Sequence, residues 1–413
     1  MRVSSQQLFN IARNSMAGAN REIIKTQEQM SEGKRVLTAS DDPVAATKIT
    51  QLTDELANID QYLKNIKIAE NNLTLEESIL DSAVNIIHRI QEIAVAAGNT
   101  ASLTENDYKA YAAEVSARLD EMVNLMNTRN ASGDYIFGGY KSGTEPFSGD
   151  SFSGFKYQGD DGQQYIKIAN NAKVATTDSG KSVFLDISSA NKTFDTSASP
   201  KNQANPPAKI NVGQVVNQQA YDEFYPEDII ITFNPDASVS PPGKNFTASE
   251  RSTGRVIVAN QPYVSGDEIT LKGVSVRIVG QPMAGDQFFI ESSEKQGILT
   301  TLARFKEALE SFDGTPDGKT ELASVVASTL SNLTNGLTNV VNVQTKIGAR
   351  MNAIEGARDL HLDTQLVNKK ILSGLRDLDY AEAATRLSQQ SLILQAAQQS
   401  FIRVSQLNLF SRL

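Results

Sequence analysis

The sequence of 413 residues contains no cysteine, no tryptophan and only two histidines. Without cysteine, disulfides, thiolate catalysis and cysteine-ligated metals are excluded. No stretch reaches the roughly 18 consecutive apolar residues of a membrane helix. The start, MRVSSQQLFNIARNS, lacks the apolar core of a secretory signal peptide. Two alternatives remain for a cysteine-free chain: a cytosolic protein, or a protein exported unfolded for which crosslinks are a hazard.

Sequence signatures of catalysis are also missing. The chain has no HExxH, no phosphate-binding GxxxxGK[ST] and no GxSxG. His88 and His361 fall on predicted helices in different thirds of the chain. The pair Asp160–Asp161 lacks the repeated ligands of an EF-hand. We expect the pair Glu76–Glu77 to be solvated on a helix face. A glycosidase-like carboxylate pair needs no local motif and stays open. We therefore expect no catalytic residue, no cofactor and no metal.

Positive charge is scarce except at the two ends. The formal net charge is −9, yet residues 1–40 carry +3 and residues 381–413 carry +2, which leaves −14 for the rest. An acidic body repels nucleic acid and anionic membranes, and no basic patch with interleaved aromatic residues occurs. We expect neither nucleic acid nor membrane as a partner.

Proline is nearly absent from the outer thirds of the chain. Eleven of the twelve prolines lie between Pro146 and Pro316, and only Pro43 lies outside. Because proline breaks helices, the outer thirds are free to be helical and the middle third is not. Pro43 follows Ser40, Asp41 and Asp42, and such a capping residue followed by proline predicts the start of a helix.

Two long helices are predicted from apolar residues in alternating steps of three and four. The first runs from Pro43 to about residue 97, or about 80 Å at 1.5 Å per residue, and Thr104 can cap a further helix. A second stripe beside the first predicts more than one partner helix for its later half. The second long helix lies in the C-terminal third. Its interior glycines Gly336, Gly348 and Gly356 cost helix propensity, and we attribute them to close helix approach.

The middle third, about residues 140–296, is predicted to be β-structure. Short alternating or β-branched runs are separated by turn signals. Two polar stretches near 188–209 and 234–254 are predicted to be loops. The predicted strands are Tyr165–Ile168, Val183–Ile187, Ile229–Phe233, Arg255–Val258, Ile269–Leu271, Val274–Val279 and Phe288–Ile290.

The predicted fold is therefore α+β, with a long coiled-coil-like helical rod built from both chain ends and a central inserted β-rich domain. We divide the chain into terminal helical assembly arms (1–42 and 378–413), an α-helical rod domain (43–139 and 297–377) and a β-rich outer domain (140–296). Gly33 marks the break between the first arm and the rod, and Gly374 with Asp377 or Asp379 marks the break and the new cap before the last helix.

Each terminal arm carries large apolar residues seven positions apart, which is the spacing of a coiled-coil seam. Two such seams at opposite ends of a chain are suited to pairing with each other or with neighbouring copies. We predict that the arms order only on assembly, and an intramolecular helix pair is the alternative. The predicted assembly residues are Phe9, Met16, Ile23, Met30, Tyr380, Leu387, Leu394, Ala397, Phe401 and Val404.

Several segments resemble the bacterial flagellin superfamily, and among its members the hook-associated proteins of the hook–filament junction. Their order and spacing along the chain strengthen the resemblance. It covers both helical thirds, but only separate short segments of the middle third. The segments are Met30–Ala46, Ser132–Phe147, Tyr157–Ala169, Leu271–Glu291, Ile347–Arg358 and Asp377–Leu413.

The resemblance implies a structural protein of the extracellular bacterial flagellum rather than an enzyme. It implies export through the flagellar type III channel without a cleaved signal peptide. It also implies four partners: hook-associated protein 1, flagellin, copies of the chain itself, and a cytoplasmic flagellar export chaperone that binds the C-terminal helix. The expected role is a structural adaptor that joins the hook to the flagellin filament.

Three other functions stay open on the sequence alone. The first is a flagellin-type filament subunit. The second is a surface protein whose β insertion binds or hydrolyses glycans. The third is a cytoplasmic coiled-coil scaffold. The last two have no positive motif in the chain.

Overall fold

The computed structural model describes residues 5–99 and 103–409, and the side chains of residues 5, 6, 8 and 404–409 lie outside the description. Contacts between Cα atoms divide the chain into two compact units, 1–64 with 356–413 and 65–355. The described helices are α1 Ser5–Glu32, α2 Pro43–Ala97, α3 Glu105–Met126, α4 Gln218–Phe224, α5 Ile298–Glu310, α6 Pro316–Arg376 and α7 Tyr380–Leu409.

The predicted helix starts are confirmed, together with their capping chemistry. Helix α2 begins at Pro43, and Oδ1 of Asp42 accepts the N–H of Ala45 at 3.0 Å, which lowers the pKa of the Asp42 carboxyl. Helix α3 follows a capping box in which Thr104 and Asp107 satisfy each other's backbone N–H groups. These caps supply partners for the N–H groups that the first turn of a helix leaves unpaired.

The later half of α2 is buried on two sides, as its second apolar stripe predicts. Most members of both stripes are buried within the unit of residues 65–355, so this part of α2 contacts more than one neighbouring element. The buried members are Ile66, Leu73, Leu80, Ile87 and Ala94 of the first stripe, and Ile79, Ala83, Ile86, Ile90, Ile93 and Ala97 of the second.

The middle of the chain holds thirteen described strands. They are β1 Phe147–Asp150, β2 Gly154–Tyr157, β3 Tyr165–Ala169, β4 Ala172–Ala175, β5 Ser188–Ala198, β6 Lys209–Ile210, β7 Gln214–Val215, β8 Ile229–Phe233, β9 Asn245–Glu250, β10 Val256–Pro262, β11 Glu268–Leu271, β12 Val274–Val279 and β13 Gln287–Lys295.

Two antiparallel sheets enclose the core of this β region. One sheet has the order β10-β9-β8-β13-β5, and the other has the order β11-β12-β6 with β7 also paired to β12. Strand β8 alternates buried and half-buried side chains, and Ile229, Ile231 and Phe233 join Phe288 and Val276 in one apolar cluster. The α+β class with a central β-rich region is therefore confirmed.

Three sequence predictions in the β region are wrong. The β-branched run Val183–Ile187 is not a strand, because residues Lys181–Leu185 form a π-helical turn in which Val183 and Phe184 are buried. The polar stretch near 188–209 contains strand β5, and the stretch near 234–254 contains strand β9. Both strands gain their stability from sheet partners, which local polarity does not reveal.

A row of asparagines on α6 holds the backbone that leads into β5. The side chain of Asn332 accepts the N–H of Ala190 at 2.7 Å, and Asn335 donates to the carbonyl of Ser188 at 2.9 Å. Asn339 donates to the carbonyls of Ser182 and Val183, both at 2.8 Å. Because β5 is an edge strand of its sheet, Asn332 and Asn335 occupy backbone groups that an open edge leaves exposed, whereas Asn339 binds the π-helical turn before β5.

The expectation that Glu76 is solvated is wrong. Glu76 is fully buried, and its Oε1 accepts the backbone N–H of Asp178 at 3.1 Å, while Oε2 has no hydrogen-bond partner among the described residues. Arg350 binds both carboxylate oxygens of Asp178 at 2.7 and 3.0 Å. Burial, followed by the charge of Asp178, raises the pKa of Glu76 well above its usual value.

Candidate assembly surface

The two ends of the chain form one antiparallel helix pair. The rings of Phe9 on α1 and Phe401 on α7 lie 5.0 Å apart between centroids. Nearer the other end, the hydroxyl of Thr26 donates to Oε1 of Gln390 at 2.8 Å, and the hydroxyl of Tyr380 donates to the carbonyl of Met30 at 3.1 Å. Residue numbers rise along α1 as they fall along α7, so the two apolar series meet each other. We call α1 and α7 together the terminal pair.

The breaks at the inner ends of the terminal pair are joined by backbone hydrogen bonds. The N–H of Arg35 donates to the carbonyl of Arg376 at 2.7 Å, and the N–H of Leu378 donates to the carbonyl of Gly33 at 3.0 Å. Gly33 has φ +67°, and a Cβ there comes within 3.1 Å of the Tyr380 hydroxyl. Glycine is favoured at this turn because the left-handed backbone strains other residues and a Cβ would press on the nearby phenol.

A carboxylate fixes the loop that follows α1. Asp41 accepts the N–H groups of Leu37 and Thr38 and pairs with Lys25 at 2.8 Å. The hydrogen bond from Lys25, followed by the backbone N–H of Thr38, lowers the pKa of Asp41 to about 2. Lys25 lies on α1, so this pair connects the terminal pair to the start of α2 within the same unit.

The predicted assembly residues lie on the terminal pair, and none of those with a described side chain is fully buried. Phe9 is 38% exposed and Tyr380 is 54% exposed. The side chain of Val404 lies outside the described residues. The remaining residues are partly buried: Met16, Ile23, Met30, Leu387, Leu394, Ala397 and Phe401. The structure therefore contains the intramolecular pair given above as the alternative, although this pair leaves the apolar seam incompletely covered.

Several exposed apolar residues of the terminal pair lie outside the predicted seven-residue series. Only Thr26, Gln29 and Ala383 are buried among the described side chains of α1 and α7. Five large apolar side chains outside the seven-residue series are between 47% and 66% exposed: Ile11, Ile24, Leu392, Ile393 and Ile402. In the sequence these residues form a second set of apolar positions beside the seven-residue series. Such a second set indicates a helix with more than one apolar side.

The described residues contain no metal-ligating cluster, and one carboxylate of their acidic cleft is already paired. Among residues 5–99 and 103–409, no three metal-ligating side chains come together, and no helix is long and apolar enough to cross a membrane. An acidic cleft of about 460 Å³ is lined by Glu268, Arg277, Glu307 and Glu321, among others. Glu307 accepts a hydrogen bond from Asn211 at 2.6 Å and lies 3.6 Å from Arg277, so its carboxylate is already occupied.

Two family models match the helical parts of the chain. Residues 3–142 match the bacterial flagellin N-terminal helical region, and residues 330–413 match the bacterial flagellin C-terminal helical region. Together the matched ranges cover more than half of the sequence. They contain α1, α2 and α3 at one end and most of α6 with all of α7 at the other.

Relatives and solved structures share this likeness. Flagellar hook-associated protein 3 of Escherichia coli is 37% identical over 148 residues, which is 36% of this chain and 46% of that protein. The chain thus spans about half the length of the curated relatives it matches. The crystal structure of hook-associated protein 3 from Legionella pneumophila is 29% identical, with 79% of this chain and 98% of that chain covered and a TM-score of 0.52. The crystal structure of FlgL from Xanthomonas campestris is 25% identical, covers 78% of this chain and 99% of that chain, and has a TM-score of 0.51.

Proposed function

We propose that this chain, which belongs to the flagellin family, is a structural subunit of the bacterial flagellum that joins the hook to the flagellin filament. The relatives called flagellar hook-associated protein 3 support this role over that of a filament subunit. In this proposal the chain is extracellular, is exported without a cleaved signal peptide and is not an enzyme.

The observation that carries the proposal is the uncovered apolar surface of the terminal pair. Seven large side chains there are 38% to 66% exposed. At roughly 100 Å² each they expose about 700 Å² in total, spread along the two helices. One partner in a stable protein interface contributes about 800 Å². The side chains are Phe9, Ile11, Ile24, Tyr380, Leu392, Ile393 and Ile402.

Assembly into a tube supplies the cover that a single chain lacks. Contacts between unlike faces of identical subunits propagate without closing, so each copy meets neighbours on several sides. The terminal arms already form a helix pair within one chain, so assembly in this proposal buries the apolar side chains that the pair leaves exposed and does not order the arms from a disordered state.

The proposed partners follow from the position of the subunit. They are hook-associated protein 1 on the hook side, flagellin on the filament side, and further copies of the chain. A cytoplasmic export chaperone holds the C-terminal helix before export. Residues 1–42 and 378–413 act as the assembly arms, residues 43–139 and 297–377 as the helical domain, and residues 140–296 as the inserted β-rich domain.

The test replaces two seam residues of α7 by aspartate. Leu394→Asp with Phe401→Asp places two charges in the partly buried seam, and we expect the variant to disappear from flagella isolated from the source bacterium. The matched control, Gln389→Asp with Gln398→Asp, adds the same charge at exposed polar positions of α7 and should be incorporated normally. Far-ultraviolet circular dichroism of both purified variants checks that the β-rich domain stays folded. Incorporation of the Leu394/Phe401 variant at the control's level contradicts the proposal.

A further inference from the structure

The acidic cleft lies where the start of α6 meets the β-rich region, inside the unit of residues 65–355. Its volume of about 460 Å³ falls within the roughly 300–1,000 Å³ of small-molecule sites. Glu268 of β11 and Arg277 of β12 line it on the side of the sheet, and Asp317 and Glu321 of α6 line it on the side of the helix. The cleft is therefore large enough for a small ligand and is built from several elements of one unit.

The acidic cleft carries more negative charge than its own basic residue neutralises. Among its lining residues in the described part of the chain, five are carboxylates and one, Arg277, is basic, which leaves a net charge of −4. Arg277 lies 3.6 Å from Glu307 and so is already engaged. A cleft lined by charge of one sign concentrates ions of the opposite sign. The carboxylates are Glu268, Glu307, Asp313, Asp317 and Glu321.

Two of these carboxylates, Asp317 and Glu321 on α6, have neither a hydrogen bond nor an ion pair with another described residue. Partial loss of water around Glu321, followed by the charges of Glu268 and Asp313, raises the pKa of the Glu321 carboxyl. The cleft therefore disfavours the ionised form of Glu321, and a cation bound beside it would reverse that effect.

A buried amide oxygen at the acidic cleft also has no partner. Gln214 of β7 is 8% exposed and lines the cleft. Its Nε2 donates to the carbonyl of Arg304 at 3.3 Å, whereas its Oε1 has no hydrogen-bond partner among the described residues. Buried acceptors are normally paired, because an unpaired one costs free energy. An unpaired acceptor beside unpaired carboxylates indicates a ligand that brings both N–H donors and positive charge.

The spacing of the two unpaired carboxylates fits an alkyl diamine. Asp317 and Glu321 are four positions apart on α6, which is about 6 Å along the helix axis. Two ammonium nitrogens joined by four methylene groups also lie about 6 Å apart when the chain is extended, given bonds of about 1.5 Å. No three metal-ligating side chains come together among the described residues, so the charge is spread along the cleft. This distribution favours a chain of ammonium groups over a single metal ion.

We propose that the acidic cleft binds a linear polyamine whose ammonium groups pair with Asp317 and Glu321. Charge-assisted hydrogen bonds hold these groups, and Oε1 of Gln214 gains a donor. The bound polyamine joins the start of α6 to the neighbouring strands and stabilises this corner of the unit. The site does not depend on the proposed function, because every residue that forms it belongs to one unit of a single chain.

Isothermal titration calorimetry of the purified full-length chain with spermidine in low-salt buffer tests the site. We expect one spermidine per chain. Asp317→Asn with Glu321→Gln should raise the Kd at least about tenfold, because the charge-assisted pairs are lost. The matched control, Asp54→Asn with Glu55→Gln, removes the same charge at exposed positions of α2 and should leave the Kd within about twofold. All four positions are exposed, so each variant should fold, and circular dichroism checks this.

Three results overturn the proposal. The first is the absence of spermidine binding. The second is an equal change of Kd in the two variants, or Mg²⁺ binding as tight as that of spermidine, since either result shows unselective screening of an acidic chain. The third comes from a tetralysine peptide, which carries the same ammonium group on a protein backbone. Binding of tetralysine more tightly than spermidine assigns the cleft to a basic protein segment, whereas weaker binding supports the polyamine.

Discussion

Arg304 on α5 is expected to be the side chain whose loss weakens the β-rich region most. It is buried, and Nε donates to the carbonyl of Gly213 at 2.9 Å. One terminal nitrogen donates to Oγ1 of Thr193 at 2.6 Å and to Oε1 of Gln296 at 2.7 Å. The other donates to the carbonyls of Phe194 and Val212 at 2.6 and 3.2 Å. One guanidinium therefore satisfies five acceptors from three segments of the chain.

Arg304→Met keeps much of the side-chain volume and removes every one of these donors. Each buried carbonyl left without a partner costs about 1–3 kcal/mol, and three are affected. The variant also no longer buries a charge, which offsets part of the loss, so we expect the free energy of unfolding to fall by about 3–5 kcal/mol.

Urea unfolding followed by circular dichroism measures this change, and circular dichroism is the suitable signal because the chain has no tryptophan. The matched control is Lys306→Met in the same helix. Lys306 pairs with Glu310 at 3.0 Å near the surface, and its loss should cost less than about 1 kcal/mol. A loss below about 1 kcal/mol for Arg304→Met refutes the reasoning.

Two further outcomes follow from buried and open positions in the helices. Because burial and Asp178 raise the pKa of Glu76, the folded state holds this proton more tightly than the unfolded state, and stability falls as pH rises from the ordinary value of 4.5 towards the raised one. Glu76→Gln should remove that fall, which thermal unfolding across pH 4–9 detects as a flatter profile than that of the parent chain; equal slopes contradict the assignment. Gly348→Ala adds a Cβ in open space and should stabilise by up to about 1 kcal/mol. At Gly336 an added Cβ lies 3.1 Å from Ile298, so Gly336→Ala should raise the free energy of unfolding by less, or lower it. Equal gains for the two variants in urea unfolding would show that the contact with Ile298 is unimportant.

Local signals predicted the helical thirds well. Helix α2 begins at Pro43 and ends before Gly98, because a capping carboxylate, a proline and a terminal glycine all act within a few residues. Strands Ile229–Phe233 and Val274–Val279 also match their predicted bounds, since their alternating or β-branched pattern reflects burial in a shared core. Close approach explains Gly336 but not Gly348 or Gly356, at which an added Cβ meets nothing.

Features set by distant contacts were not predictable from local pattern. Strand β5, with the sequence SSANKTFDTSA, is polar, and it is stabilised by β13 and by the asparagines of α6. Glu76 resembles any helix-surface glutamate until the segment carrying Asp178 covers it. The heptad spacing at the two ends identified the helices that pair. It did not reveal that large apolar residues beside the seam, such as Leu392 and Ile11, are exposed as well.

The position of the chain along the flagellum tests the proposed function most directly. Gold-labelled antibody against residues 140–296, applied to flagella isolated from the source bacterium, shows by electron microscopy where the subunit lies. The proposed adaptor role predicts label confined to a short zone where hook and filament meet. Label along the whole filament, or none on flagella, contradicts it.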